Sequence, residues 1–367
     1  MKQVFKYAMM GSDSNLDTIV SAFSKQSELA MQGKNSGEDY EKANFALSES
    51  IVKYTVENSG GTYTGLEMVK NPMVVKSPLF KDTFASLLAQ AITPAMPKIT
   101  SSGLSPLYEV FQTGFGDNAV YTIQSNELFV VNDHAEGIRE GGFQTTFNDE
   151  RSITATKRNV TAGIPWYQVA SGKFDWGYFG AKVVKAYDLW IQAAIVKALS
   201  SVATNAGERT KHGIAGYYAA GLSDANWMTL ARNVRAANGG SAVYALGTAI
   251  ALADVLPSHA GFRFFEDSDI VKVGYLPDYK SVPLLEIDNA IIPYTQNSAT
   301  PAALVQDNLI LMIAMGAYKP VKVLFEGNSV EIDYDGIKTV DNTMGLTIGM
   351  RIGVDVIVGD KFGIIAK

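Results

Sequence analysis

The sequence predicts an α+β fold, and three observations carry that assignment. The first is one long amphipathic helix, from Phe174 to about Val202. The second is the closing alternation Thr343–Val358, the clearest strand pattern in the chain. The third is the number of short β-like runs elsewhere.

In the long helix, Trp176, Phe179, Val183, Tyr187, Trp190, Ile191, Ile195, Leu199 and Val202 recur at the i, i+3, i+4, i+7 spacing of one helical face. Lys182, Lys185, Asp188 and Gln192 fall on the other side. Asp175 is placed to cap its start, and Asn205 and Gly207 to end it. At 1.5 Å per residue the helix is roughly 40 Å long, which suits a spine with sheets packed along it. Its aromatic stripe (Trp176, Phe179, Tyr187 and Trp190) is assigned to core packing and not to a ligand platform.

Taken in order, the chain begins with helical spacing over Leu16–Met31 and Asp39–Val56, broken at Gly33–Gly37 and Asn58–Gly61. Neither helix is apolar enough to form a core alone, so residues 1–74 read as an N-terminal extension that packs on something else. A third helix, Leu79–Ile92, is stopped by Pro94 and Pro97. Ala119–Val131 and Arg151–Ile164 are rich in β-branched and aromatic residues and read as strands. The charged, glycine-bearing stretch DHAEGIREGGFQTTFNDE separates them. The pair is therefore a long projecting hairpin, costly unless a partner covers it. Beyond the spine, Asp224–Ala236 and Tyr244–Val255 read as helices. Short strands follow at Ile270–Tyr275, Leu284–Ile287, Ala303–Val305, Leu309–Ala314, Val321–Glu326 and Ser329–Tyr334.

The 367 residues suffice for two or three domains or one large elongated fold. A hydrophobic fraction of 47% against 19% charged residues belongs to a chain that folds around a core. The net charge of −6 gives no electrostatic reason to grip nucleic acid or an anionic membrane. With no cysteine, disulfides and thiolate chemistry are excluded, and zinc sites of the usual kind nearly so. The N-terminal apolar run is too short for a signal peptide, and no stretch approaches the ~18 residues of a membrane span. A soluble, cytosolic protein with no membrane partner is expected.

The sequence carries no recognisable constellation of catalytic or metal-binding residues. His134, His212 and His259 stand apart, with no second ligand nearby, so structural or solvent-facing roles are preferred. No nucleophile elbow or phosphate loop is present, and the glycines around Gly114–Gly116 and Gly213–Gly216 fit ordinary turns. The acidic runs Glu266–Asp269 and Glu331, Asp333 and Asp335 do not match a calcium loop and read as solvated faces. Trp166, Tyr167 and the run Phe262–Phe265 read as core or interface packing. No catalytic residue, cofactor or metal is assigned, and no enzyme activity is expected.

The spine and its approach, KRNVTAGIPWYQVASGKFDWGYFGAKVVKAYDLWIQAAIVKAL, resemble the HK97-like major capsid proteins of tailed double-stranded DNA bacteriophages. The closing MRIGVDVIVGDKFGIIAK and the hairpin-like IVKVGYLPDYKSVPLLEI resemble the same family. The resemblance spans about residues 75–367. It implies an N-terminal arm (1–74), the start of a peripheral domain (75–118) and an extended loop with flanking strands (119–164). It further implies a spine helix (165–209), an axial domain (210–335) and a C-terminal strand returning to the peripheral sheet (336–367).

It also implies self-assembly as pentamers and hexamers into an icosahedral shell. The shell encloses double-stranded DNA without sequence-specific contacts. Scaffold, portal and decoration proteins are further partners the family admits. The product is a virion capsid, assembled in the host bacterial cytoplasm. Asp133, His134, Glu136, Arg139 and Glu140, at the tip of the extended loop, are the expected assembly contacts. The extension here is short beside the scaffolding segments some members carry, and covalent cross-linking is not assigned. Three other readings stay open. An encapsulin-type compartment shares the fold, an α/β enzyme with a β-rich accessory domain would need clustered titratable groups, and a surface adhesin would need an export signal.

Overall fold

The computed structural model describes residues 14–94, 104–117, 119–123, 149–255, 275–287, 289, 302–337 and 343–367. The helices α1 (Ser14–Met31), α2 (Glu38–Asn58), α3 (Pro72–Val75) and α4 (Pro78–Ile92) precede β1 (Tyr108–Thr113) and β2 (Ala119–Ile123). Next come β3 (Asp149–Ile153), β4 (Thr156–Pro165), α5 (Trp166–Ala170), the spine α6 (Trp176–Thr204) and α7 (Ala206–Lys211). A mixed region holds β5 (Tyr218–Ala220), α8 (Asp224–Ala237), β6 (Val243–Gly247) and α9 (Ala249–Ala253). The chain continues through β7 (Asp278–Tyr279), β8 (Val282–Glu286) and β9 (Leu309–Ala314). It closes with β10 (Val321–Ile337), β11 (Thr343–Val356) and β12 (Gly363–Ala366).

Two larger sheets organise these elements. One has the order β1-β10-β11-β4, with β1 parallel to β10 and the other pairs antiparallel. The other has the order β5-β12-β9-β6-β8-β7, while β2 and β3 form a separate two-stranded ribbon.

The spine begins where Asp175 accepts the Tyr178 amide at 2.9 Å, and it stops at Asn205, whose side chain caps α7 through Gly207 N at 2.8 Å. Trp176, Phe179, Val183 and Tyr187 are buried, whereas Trp190 is half-buried beneath the Arg158 guanidinium, 4.8 Å from its ring. Each buried spine side chain of this size is worth roughly 1.5–3 kcal/mol relative to exposure. Tyr187 also ties the spine to β11, donating its hydroxyl to Ile348 O at 2.7 Å. Burial pushes that phenol up to about 12.

The N-terminal half of the spine is also covered by this chain's own α1 and α2, while Lys182 and Lys185 stay exposed. Gly177 and Gly180 permit the approach: a Cβ on Gly177 would lie 2.6 Å from Gln26 O, and one on Gly180 would lie 2.8 Å from the Phe23 ring. A buried polar network joins α2 to the start of the spine. Asn44 Nδ2 donates to Phe174 O at 2.7 Å and its Oδ1 accepts from Trp176 N at 3.1 Å. Trp176 Nε1 donates to Ser48 Oγ at 2.8 Å, and Tyr40 donates to Asp175 Oδ1 at 2.7 Å. Around it, Phe80, Phe84, Trp166, Phe174 and Trp176 pack edge to face or tilted, at centroid distances of 4.6–6.0 Å.

The centre of the six-stranded sheet is buried on both faces, which explains the unbroken apolar run of β9. Ile310, Met312 and Ala314 pack with α8 and α9, while Leu311 and Ile313 join the core that contains the spine.

Several sequence expectations are corrected. Tyr244–Val255 is not one helix: Val243–Gly247 is a strand, and the helix after it starts only at Ala249, capped by Thr248. Arg151–Ile164 is two strands, and they serve different sheets because the chain breaks at Thr154–Ala155. There the backbone of Gly353 closes in, and a Cβ at that position would sit 2.7 Å from Ile153 and 2.8 Å from Thr154 O. Val321–Glu326 and Ser329–Tyr334 are one strand, irregular between Glu326 and Glu331, where Gly327 takes φ +87. That strand lies in the four-stranded sheet. Ala303–Val305 forms no strand beyond an isolated bridge at Ala303. Strand β11 lies in the four-stranded sheet, and the chain then crosses to place β12 between β5 and β9.

Candidate assembly site

The ribbon of β2 and β3 carries both ends of the stretch that the resemblance assigns to the extended loop. Its register runs from Ala119 opposite Ile153 to Ile123 opposite Asp149. Asp133, His134, Glu136, Arg139 and Glu140 lie outside the described residues, as do His259, Glu266–Asp269, Phe262–Phe265 and most of Ile270–Tyr275. The structure therefore shows the root of the loop.

That root is clamped by one charge pair. Arg351 on β11 and Glu326 on β10 are direct register partners, and Arg351 Nε donates to Glu326 Oε2 at 2.9 Å. The other carboxylate oxygen accepts the Gly116 amide at 3.0 Å, in the turn between β1 and β2. Gly116 has φ +86, a left-handed conformation that glycine adopts without a Cβ clash. Arg351 Nη2 also reaches Ala155 O at 3.5 Å, where the chain passes from β3 to β4, and its guanidinium lies 5.5 Å from the Phe115 ring. One arginine thus touches the entering and the leaving chain. The Gly116 amide first, then the Arg351 hydrogen bond, hold the Glu326 carboxyl below its usual range. Neither residue was among the expected assembly contacts, and Glu326 sits on a segment read as an ordinary short strand.

Beside the root, Lys322 is almost fully buried and donates to Glu109 at 2.6 Å across the β1–β10 pair. A cavity of about 410 Å³ opens there between Phe111, Tyr121, Tyr318 and Asp360. Burial first, then the Glu109 charge, push the Tyr121 phenol up to about 12. Val120, Phe115 and Tyr318 are exposed in this region, leaving apolar surface around the root.

Elsewhere the chemistry remains sparse. Among the described residues, no group of three or more histidine, aspartate or glutamate side chains could hold a metal ion. His212 is buried, 3.4 Å from Glu208, and burial above all lowers its pKa, so it is a structural histidine. Trp166 belongs to the aromatic core, while Tyr167 is exposed. No described helix is long and apolar enough to cross a membrane.

A spine helix packed by the chain's own N-terminal helices, two sheets joined through its core and a separate two-stranded ribbon make up the frame of a phage-derived capsid protein. Residues 27–366 match the family described as SPbeta prophage-derived putative capsid protein YonB, and the chain belongs to that family. No curated protein matches it.

Among solved structures, the chain is similar to that of Microbacterium phage Oxtober96, at 13% identity over 72% of this chain and 90% of that chain, TM-score 0.45. It is similar to the capsid of the native GTA particle computed with C5 symmetry, at 11% identity over 73% and 90%, TM-score 0.48. It is also similar to the holo-SrpI encapsulin complex from Synechococcus elongatus PCC 7942, at 12% identity over 74% and 88%, TM-score 0.41. The role of the chain is that of a structural protein of the virion capsid.

Proposed function

We propose that the chain closes into an icosahedral shell of pentamers and hexamers through heterologous contacts, with the extended loop of each subunit laid on a neighbour. The observation that supports this most directly is the clamped root, where Arg351 and Glu326 hold both strands that leave for the loop. A ribbon of two strands is marginal alone, so a neighbour is its natural support. Asp133, His134, Glu136, Arg139 and Glu140 are the residues assigned to that contact. Peripheral and axial parts follow the four-stranded and six-stranded sheets, with residues 1–74 as the arm.

In this reading the shell encloses double-stranded DNA without sequence-specific binding and has no catalytic function. Scaffold, portal and decoration proteins join it during assembly in the host bacterial cytoplasm. Deleting residues 133–142 is expected to leave a folded subunit that forms no closed particles in electron micrographs. Normal shells from the deletion would refute the assignment, and shells filled with protein cargo instead of DNA would favour an encapsulin-type compartment.

A further inference from the structure

A second cavity, of about 620 Å³, lies along α8, far in sequence from the loop root, and its lining includes Trp227, Arg232, Arg235 and Lys280. Three cations therefore meet in one groove. Lys280 pairs with Asp224 at 3.0 Å, and Asp224 also accepts the Tyr279 hydroxyl. Neither arginine has an ion pair among the described residues. Arg232 reaches only the neighbouring Asn233 amide oxygen, at 3.2 Å, and Arg235 Nη2 donates to Ser281 O at 2.8 Å. Among the described residues only Asp224 pairs with any of the three, so positive charge is left over.

Two donors in this lining also lack acceptors. Trp227 is fully buried, yet its Nε1–H has no hydrogen-bond partner among the described residues, and neither has Arg235 Nε–H. Buried donors without acceptors are uncommon, and an unfilled ligand position is one physical reason for them. The turn that presents Lys280 adds an independent sign. Lys280 and Ser281 adopt φ 51 and 64, both left-handed, in the two-residue link between β7 and β8 where Asn-Gly is the relaxed choice. Strained backbone of this kind persists where the surroundings use the side chain it positions.

We propose that this groove is a phosphate-binding site. Guanidinium groups present planar, paired donors that match the oxygens of phosphate, and the ammonium of Lys280 adds a point charge. Two sources carry that chemistry: free phosphate or polyphosphate, and the phosphodiester backbone of nucleic acid.

The experiment titrates the full-length chain with inorganic phosphate, tripolyphosphate or a double-stranded DNA oligonucleotide, by calorimetry at fixed ionic strength. Saturable binding is expected, weakened about tenfold in Arg232→Ala, the loss of one charge-assisted contact. Lys280→Asn, which suits the left-handed turn, is expected to stay folded by circular dichroism and to bind more weakly as well. Binding of tripolyphosphate alone identifies the free ion as the ligand, and binding of the oligonucleotide alone identifies the backbone. No saturable binding of any probe, or binding unchanged in both variants, overturns the proposal.

Discussion

Asn44→Ala removes the hinge pin between α2 and the spine. The wild-type amide donates to Phe174 O at 2.7 Å and accepts from Trp176 N at 3.1 Å, both in a buried setting. Alanine leaves a carbonyl and an amide without partners, and an orphaned buried group costs about 1–3 kcal/mol. Some relaxation is expected, so a loss of about 2–4 kcal/mol follows for the pair. For a chain of this size unfolding as one unit, that lowers the melting temperature by roughly 3–5 °C. Near-ultraviolet circular dichroism suits the measurement, because Trp176 sits in the junction.

Asn44→Asp sharpens the test. A carboxylate can still accept from Trp176 but cannot donate to Phe174 O, so the variant is unstable at neutral pH. Its folded-state pKa is raised by burial and by the facing carbonyl, so the protonated form is the stabilised one. Stability therefore returns as pH falls, and the gap to the parent narrows on acidification. A melting temperature for Asn44→Ala within one degree of the parent, a shift of about 1 kcal/mol or less, would show that the network contributes nothing.

Two further outcomes are expected. Gly180→Val places a branched side chain against Phe23 and Ser27, so α1 lifts from the spine; limited proteolysis within 14–31 speeds up, whereas Gly216→Val, with open space at its Cβ, leaves it unchanged. Asp188→Asn raises the melting temperature at neutral pH, since burial raises that carboxyl's pKa and its Oδ1 is buried without a partner. A raised carboxyl favours folding only while protonated, so the gain fades as pH falls towards the ordinary aspartate value, and a gain that persists there would contradict the assignment.

Periodicity reveals an element when one face is buried and the other wet. The spine meets that condition, as do α1, α2 and the closing strand, and their limits come out within a few residues. It is silent where both faces are buried. Val243–Gly247 is such a strand, and its small apolar residues run into the helix beyond, leaving Thr248 as the only local sign of a boundary. The break at Thr154–Ala155 is set by Gly353, some two hundred residues away, and no local pattern could show it. The same holds for the candidate site: Arg351 meets Glu326 and Ala155, and Glu326 meets Gly116, only through pairing of distant strands. The α8 groove was invisible for a similar reason, since Lys280 joins the arginines only through the fold.

The strand order has a consequence for how the subunit comes into being. Strand β1 pairs with β10, and the Glu109–Lys322 contact between them closes a separation of 213 residues. Strand β12 must then thread between β5 and β9, long after both have been made. Loop closures of that length slow folding, and until they occur the apolar strands of both sheets stand open to wrong pairings. Subunit concentration is the hazard in this window, because the open strands of separate copies can pair with one another. The slow step is thus the arrival of the C-terminal strands, and a chain stalled before residue 363 would carry an incomplete six-stranded sheet into a crowd of its own copies.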